Sequence, residues 1–101
     1  MPRFFRAEDS NEQVLVISEG SKSIVYFSPD GKTFQALKTT HFATVQGRRT
    51  LTLQTPNLSA PPVQLTFINS WQIAIRAPGS KEKFFQYTEK ASILNVTLLP
   101  V

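Results

Sequence analysis

A run of alternating apolar and polar side chains in the second half of the chain limits the fold more than any other feature. Apolar side chains occupy most odd positions of this run, namely Val63, Leu65, Phe67, Trp71, Ile73, Ile75 and Ala77. A period of two residues is typical of a strand that buries one face. It predicts either one long bent strand or a hairpin with a three-residue loop at residues 69–71, which would pair Phe67 with Ile73 and Leu65 with Ile75. A two-residue turn at residues 69–70 is excluded, because a register shifted by one residue would turn apolar side chains outward.

Two strands are predicted before this run, at residues 13–19 and 23–28, with a short polar turn between them. Both strands are apolar at successive positions, so both of their faces should be covered, as in central strands or in the overlap of a closed barrel. The sequence SPDG at residues 28–31 has proline and glycine where a type I turn places them. It predicts that the chain reverses before Thr33.

The remaining segments complete a chain of short strands. Residues 33–42 fit either a helical turn or a strand, and their threonines favour the strand. Three prolines make residues 55–62 an irregular loop, because proline lacks the N–H that a sheet ladder needs. Strands are also predicted at residues 84–88 and 92–99, the latter with Leu94, Val96 and Leu98 on one side. The sequence therefore predicts one all-β domain over residues 1–101, a small antiparallel barrel, roll or sandwich of about seven or eight strands.

Glycine and two arginines mark a further hairpin turn, Gln46-Gly47-Arg48-Arg49. Glycine at the first central position fits a two-residue type II′ turn. The pairings that follow from such a turn are Phe42 with Leu53, Thr44 with Leu51 and His41 with Gln54. The turn needs neither arginine, which leaves Arg48 at the tip and Arg49 at the start of the next strand free for another role.

Length and composition are those of a single globular domain. A chain of 101 residues with 41% hydrophobic and 18% charged residues is long enough for one core. No apolar run approaches the roughly 18 residues of a membrane-spanning helix, so no membrane span is expected. The basic start of the chain is interrupted by Glu8 and Asp9 before any apolar stretch, so we recognise no secretory signal and expect a cytoplasmic protein. The absence of cysteine excludes disulfides and thiolate sites.

No combination of residues predicts catalysis. His41 is the single histidine, it has no acidic neighbour in sequence, and it is expected to be exposed or at a rim. The four glycines form no phosphate-binding or dinucleotide-binding motif, and no G-x-S-x-G motif occurs. One histidine without cysteine does not predict a zinc site, and the acids are too scattered for a calcium loop. We therefore expect a protein that is not an enzyme and that has no cofactor or metal.

The charge of the chain is unevenly distributed. The net charge is +4, and no aspartate or glutamate occurs between Asp30 and Glu82, whereas six lysines and arginines do. An excess of one charge raises the local concentration of partners with the opposite charge. If the strands of this region are neighbours, Arg48, Arg49 and Arg76 could cluster at one end of the sheet. The alternative is that the six cations are spread around the domain and serve solubility alone.

Two segments, residues 3–6 and 81–87, combine aromatic and basic side chains. Alternation points one ring of each Phe-Phe pair outward, so that an outward Phe4 or Phe84 could contact a partner or cover the end of a barrel. Our first expectation is a small accessory or adaptor protein that docks onto an acidic protein partner or a larger multi-subunit assembly. The candidate partner-binding residues are Arg48, Arg49, Arg76, Lys81, Lys83, Phe84, Arg3 and Arg6.

Two other binding functions fit the same sequence. Single-stranded nucleic acid is the first alternative, because small basic β-domains stack bases on exposed aromatic rings. A barrel that holds a small ligand is the second, although a chain this short favours an interior filled by its own side chains. Pairing at an open sheet edge would in addition make a homodimer.

Overall fold

The fold was determined as a computed structural model that describes residues 2–57, 59–89 and 95–101. These residues form nine strands: β1 (Pro2–Ala7), β2 (Gln13–Glu19), β3 (Lys22–Ser28), β4 (Thr33–Val45), β5 (Arg48–Gln54), β6 (Val63–Asn69), β7 (Gln72–Arg76), β8 (Lys83–Thr88) and β9 (Thr97–Leu99). No helix in this part of the chain is long and apolar enough to cross a membrane. The all-β prediction is confirmed, and the threonine-rich segment after Thr33 is extended as expected.

Strands β1 to β8 form a closed antiparallel barrel. Each strand pairs with the next one along the chain, and β1 also pairs with β8, which joins the two ends of the sheet. The predicted choice between barrel, roll and sandwich is thereby resolved as a barrel. The short strand β9 is an addition to the barrel and pairs in parallel with the beginning of β4, from Thr33 to Gln35.

The hairpin of β6 and β7 has the predicted register. Phe67 pairs with Ile73 and Leu65 pairs with Ile75, so one long bent strand is excluded. The predicted three-residue loop is wrong, because Asn69 pairs with Gln72 and the turn consists of residues 70–71 only. An irregularity between Phe67 and Asn69 accommodates one extra residue, and the backbone N–H of Trp71 donates a 2.8 Å hydrogen bond to the Asn69 side chain at the turn. Alternation of apolar residues was sufficient to predict this pairing, because only this register places Leu65, Phe67, Ile73 and Ile75 on one face.

The hairpin of β4 and β5 differs from the prediction. Gln46 and Gly47 both have positive φ, 53° and 78°, which makes them the two central residues of a type I′ turn. Val45 therefore pairs with Arg48, and the predicted type II′ turn is wrong. The predicted pairings are wrong as well, since the structure pairs Phe42 with Leu51, Thr44 with Arg49 and His41 with Thr52.

A physical reason for this error lies in the backbone of Gln46. Glutamine rarely adopts positive φ, so the sequence alone does not place it at the centre of a turn. The twist of a type I′ turn nevertheless matches the right-handed twist of the flanking strands. A second irregularity, between Thr39 and His41, shifts the register of β4 and β5 at the end away from the turn. Arg48 and Arg49 consequently both belong to β5 and point to opposite faces of the barrel wall.

The inward faces of all eight barrel strands contribute to one apolar core. Its buried side chains are Phe5, Ala7, Val14, Val16, Val25, Leu37, Leu51, Leu53, Leu65, Ile73 and Phe85. Each fully buried large side chain contributes about 1.5–3 kcal/mol relative to an exposed position. This core holds the barrel wall rigid and fixes where its two ends present their side chains.

A second, smaller core lies on the outside of the barrel. It consists of the buried residues Phe4, Leu15 and Phe34, against which Ile17, Tyr26, Val96 and Leu98 pack. This outer cover explains why residues 13–19 and 23–28 are apolar on both faces, as the sequence predicted. Phe4 points outward as expected, yet only 5% of it is exposed, so it is not available to a partner. The predicted strand over residues 92–99 is confirmed only at Thr97–Leu99, because residues 95–96 are not in a strand. Residues 92–94, which include Leu94, lie outside the described residues.

The turn before β4 is held by side chains. The Ser28 hydroxyl accepts hydrogen bonds from the N–H groups of Asp30 and Gly31, at 3.2 and 2.8 Å. The Asp30 carboxylate accepts from the N–H groups of Lys32 and Thr33, at 2.8 and 3.2 Å. These backbone hydrogen bonds, helped by the Ser28 hydroxyl, lower the pKa of Asp30. The predicted reversal before Thr33 is confirmed.

Candidate binding site

The strand directions give the barrel two chemically different ends. One end carries the turns at residues 20–21, 46–47 and 70–71, and we call it the arginine end because Arg3 and Arg49 lie there. The other carries the connections at residues 8–12, 29–32, 55–62 and 77–82, and we call it the proline end after the proline-rich loop at residues 55–62.

Arg49 points toward the inside of the barrel, on the same face of β5 as the buried Leu51. Its guanidinium carbon lies 4.8 Å from the centre of the Phe67 ring and 5.7 Å from the centre of the Phe42 ring. A nitrogen of the same group donates a 3.4 Å hydrogen bond to the Ser23 hydroxyl. A cation within about 6 Å of a ring centre is attracted by the ring, by about 0.5–1 kcal/mol at exposed sites. Arg49 therefore joins three strands at the arginine end.

Arg3 makes an equivalent arrangement on the other side of the same end. Its guanidinium carbon lies 5.0 Å from the ring centre of Tyr87 and 5.2 Å from that of Phe5. The guanidinium also donates a hydrogen bond to the backbone oxygen of Ser70, in the turn between β6 and β7. Two arginines predicted as partner-binding residues are thus held at one end of the barrel with their charges partly exposed.

Exposed aromatic side chains accompany these two arginines. Trp71, Phe42 and Tyr87 are exposed by 67, 54 and 39%, respectively. Tryptophan, tyrosine and arginine are the residues that most often dominate the binding energy of protein interfaces. Sequence reasoning did not select these three aromatics as site residues. The position of Trp71 in a hairpin loop was the one sequence signal that could have found it.

A slot interrupts the barrel wall between β3 and β4, next to the arginine end. The two strands pair only from Val25–Leu37 to Phe27–Gln35. In the described part of the chain, residues 22–24 pair only with β2 and residues 38–45 only with β5. The opening between them has a volume of about 530 Å³. Each of these segments therefore has a strand edge that faces the slot without a partner strand.

The lining of the slot combines apolar and basic side chains. Ile24, Phe42, Leu51 and the exposed Val101 provide apolar surface, and Lys22, Lys38 and Arg49 provide positive charge. Glu19 lies opposite Lys22 in the β2–β3 register, but no carboxylate side chain is among the described residues that line the slot. The slot is therefore a groove with two strand edges, an apolar surface and three cations.

The other predicted site residues lie elsewhere. Arg48 points outward and shares a groove of about 290 Å³ with Arg76 and with the acidic Glu82. Strand β6 separates β5, which carries Arg48 and Arg49, from β7, which carries Arg76, and Arg49 lies on the opposite face from Arg48. The structure thus brings Arg48 and Arg76 together and separates Arg49 from both.

Four more predicted residues are distributed over β1, β8 and the proline end. Arg6 donates a 3.3 Å hydrogen bond to the Asn11 side chain. Lys83 forms an ion pair with Glu12, and Lys81 lies in the same region. Phe84 points outward and is 38% exposed. These residues are remote from the slot in the fold, so the predicted set does not form a single surface.

His41 is exposed, as predicted. Within residues 2–57, 59–89 and 95–101, no three histidine or acidic side chains come together as a metal site would require. Comparison with known protein families, with curated proteins and with solved structures found no match for this chain. The function must therefore be argued from the geometry of the binding surfaces themselves.

Proposed function

We propose that this protein is a non-enzymatic binding module that docks an acidic, extended segment of a partner protein along the slot between β3 and β4. The observation that carries the proposal is the slot itself, where unpaired strand edges lie beside three cations. An extended peptide can add to an exposed sheet edge through main-chain hydrogen bonds, while alternate side chains enter pockets along the edge. The slot supplies both elements.

The side chains of the slot indicate the chemistry of the bound segment. Ile24, Phe42 and Leu51 would receive its apolar side chains, and the lysines and Arg49 would attract its carboxylates. Arg49 is already oriented by Phe42 and Phe67, so binding orders it less than it would order a free arginine. Trp71, in the turn between β6 and β7, and Tyr87, on β8, lie at the same end but across the barrel from the slot.

The same observations favour a peptide over a nucleic acid. Base stacking needs free aromatic faces. At the arginine end, the guanidinium of Arg49 lies over the Phe67 ring and that of Arg3 lies over the Tyr87 ring, so one face of each ring is already covered by a cation. The strand edges of the slot offer main-chain donors and acceptors. An extended peptide can pair with both, whereas a phosphate backbone has only acceptors and leaves the edge carbonyls unpaired.

Fluorescence anisotropy with labelled probes of about ten residues, a strand length, tests the proposal. We expect a peptide of alternating glutamate and valine to bind saturably, and a peptide of alternating lysine and valine not to bind. Lys38→Glu should lower the affinity for the acidic peptide by at least about tenfold, because it reverses a charge at the slot. Arg48→Glu is the matched control, since it makes the same change of charge on the outer face of β5, and should alter binding less than about threefold.

Direct observation of the strand edge separates docking in the slot from simple charge attraction. Peptide bound as an added strand should slow amide hydrogen exchange in residues 38–45 and leave exchange in residues 63–69 unchanged. Equal effects of Lys38→Glu and Arg48→Glu, or unchanged exchange at saturating peptide, would overturn the proposal. Binding of oligothymidine instead of peptide, with log K falling against log salt by a slope of about −2 for three phosphates, would establish the nucleic-acid alternative.

A further inference from the structure

At the proline end, the barrel core is buried on β1, β2 and β5, through Ala7, Val14 and Leu53, but it is incomplete on β3, β6 and β7. Along three strands, one inward-facing residue is fully buried and the next inward-facing residue toward this end is only half-buried. These pairs are Val25 and Phe27 on β3, Leu65 and Val63 on β6, and Ile73 and Ile75 on β7. The half-buried side chains surround an opening rather than a packed centre.

This opening is a cavity of about 320 Å³. Its walls are almost entirely apolar and are formed mainly by Phe27, Leu37, Val63, Ile75 and Phe85. Pockets that bind small molecules are concave, mostly apolar and typically about 300–1,000 Å³, so this cavity has the right character and lies at the lower end of the size range. The expectation that so short a barrel fills its own interior is therefore not met at this end.

Charged side chains are confined to the mouth of the cavity. Lys83 donates a hydrogen bond to the carboxylate of Glu12, and this contact raises the pKa of the lysine, which therefore stays charged. Lys81 lies at the same mouth and is exposed. Lys83 is paired with Glu12, and the charge of Asp9 also acts on it, so Lys81 is the exposed ammonium group that the lining offers to an anion.

We propose that this cavity binds a small apolar monoanion, such as a medium-chain aliphatic carboxylate, with its chain between Phe27, Val63 and Ile75 and its carboxylate at Lys81. An apolar wall with the exposed Lys81 ammonium group at its mouth is complementary to such a molecule. Neutral molecules would lose the interaction at the mouth, and dianions would meet Glu12. The site is separate from the slot, although Leu37 lines both openings.

Isothermal titration calorimetry with hexanoate, octanoate and decanoate tests this site. We expect affinity to rise about fourfold for each methylene group buried, until the cavity is full. Val63→Phe fills the cavity and should weaken octanoate at least about tenfold, whereas Val45→Phe, an exposed position at the arginine end, should leave the affinity unchanged. Lys81→Gln should lower the affinity for octanoate about five- to tenfold and leave the affinity for 1-octanol unchanged. Lys32→Gln is the control and should leave both affinities unchanged.

Methyl NMR of the unsubstituted protein provides a measurement that does not depend on how the variants fold. Octanoate should shift the methyl signals of Val63 and Ile75 and leave those of Ile24, in the slot, in place. Absence of saturable binding in the millimolar range, or shifts at Ile24 rather than Ile75, would overturn the proposal. Equal affinities for octanoate and 1-octanol would refute the role of Lys81. Saturating octanoate should not change the affinity for the acidic peptide, because the two sites are at different ends.

Discussion

Replacement of Arg49 by glutamine removes the cation that lies over Phe42 and Phe67 at the arginine end. The two ring contacts, at 5.7 and 4.8 Å, each contribute about 0.5–1 kcal/mol at an exposed site. The hydrogen bond to Ser23 is long, at 3.4 Å, and exposed, so it adds little. We therefore expect the free energy of unfolding to fall by about 1–2 kcal/mol. For a domain of this size each kcal/mol corresponds to about 4–8 °C in Tm.

Arg48→Gln is a matched control for this prediction. It removes the same charge from the next residue of β5, but from the outer face, and should change stability by less than about 0.5 kcal/mol. Urea denaturation at two ionic strengths would measure both variants. A double-mutant cycle of Arg49→Gln with Phe67→Leu should give a coupling energy of about 0.5–1 kcal/mol. Equal losses of stability in the two arginine variants, or a coupling energy near zero, would refute the reasoning.

Two further predictions concern turns. Gln46→Asn should raise the free energy of unfolding by about 0.5–1 kcal/mol in urea denaturation, because asparagine adopts positive φ more readily and Asn-Gly is a preferred type I′ pair; a decrease would contradict the assigned turn. Asp30→Asn should destabilise the protein at neutral pH, because the lowered pKa of Asp30 means that its charged form stabilises the fold. That contribution is present above the ordinary carboxyl pKa of about 3.9 and is lost as the pH falls through the lowered value, so the urea midpoints of the two proteins should converge as the solution is acidified below the ordinary pKa. A difference that does not depend on pH would show that the charge of Asp30 is not involved.

The sequence was informative wherever burial imposed a pattern. Alternation predicted the pairing of Phe67 with Ile73, because only that register puts the apolar side chains inside. Apolar residues on both faces of β2 and β3 predicted that both faces are covered. The residues that cover β2 and β3 were harder to predict, because Phe34, Val96 and Leu98 come from distant parts of the chain. The alternation of apolar residues shows that a face of a strand is buried, but it does not show which distant residues cover that face.

The candidate sites were harder to predict than the core. Arg48 and Arg49 are adjacent in sequence, and a turn assignment shifted by one residue was enough to misplace both. The slot results from the short pairing between β3 and β4, which is a property of the closed barrel and not of either strand. The cavity likewise exists because the inward-facing side chains of Val63 and Ile75 are only partly buried at the proline end. Both are consequences of closure, and closure depends on contacts between the first and last strands of the barrel.

The unpaired edges of the slot also bear on how copies of this protein meet one another. An exposed strand edge is a template for self-association, and same-sign charges at the edge are one way in which proteins prevent it. A second copy that offered the same edge would bring Lys22, Lys38 and Arg49 against their own counterparts. The homodimer expected from a sheet edge is therefore disfavoured at this position. The three cations that would attract an acidic partner segment would also oppose aggregation through these edges when no segment is bound.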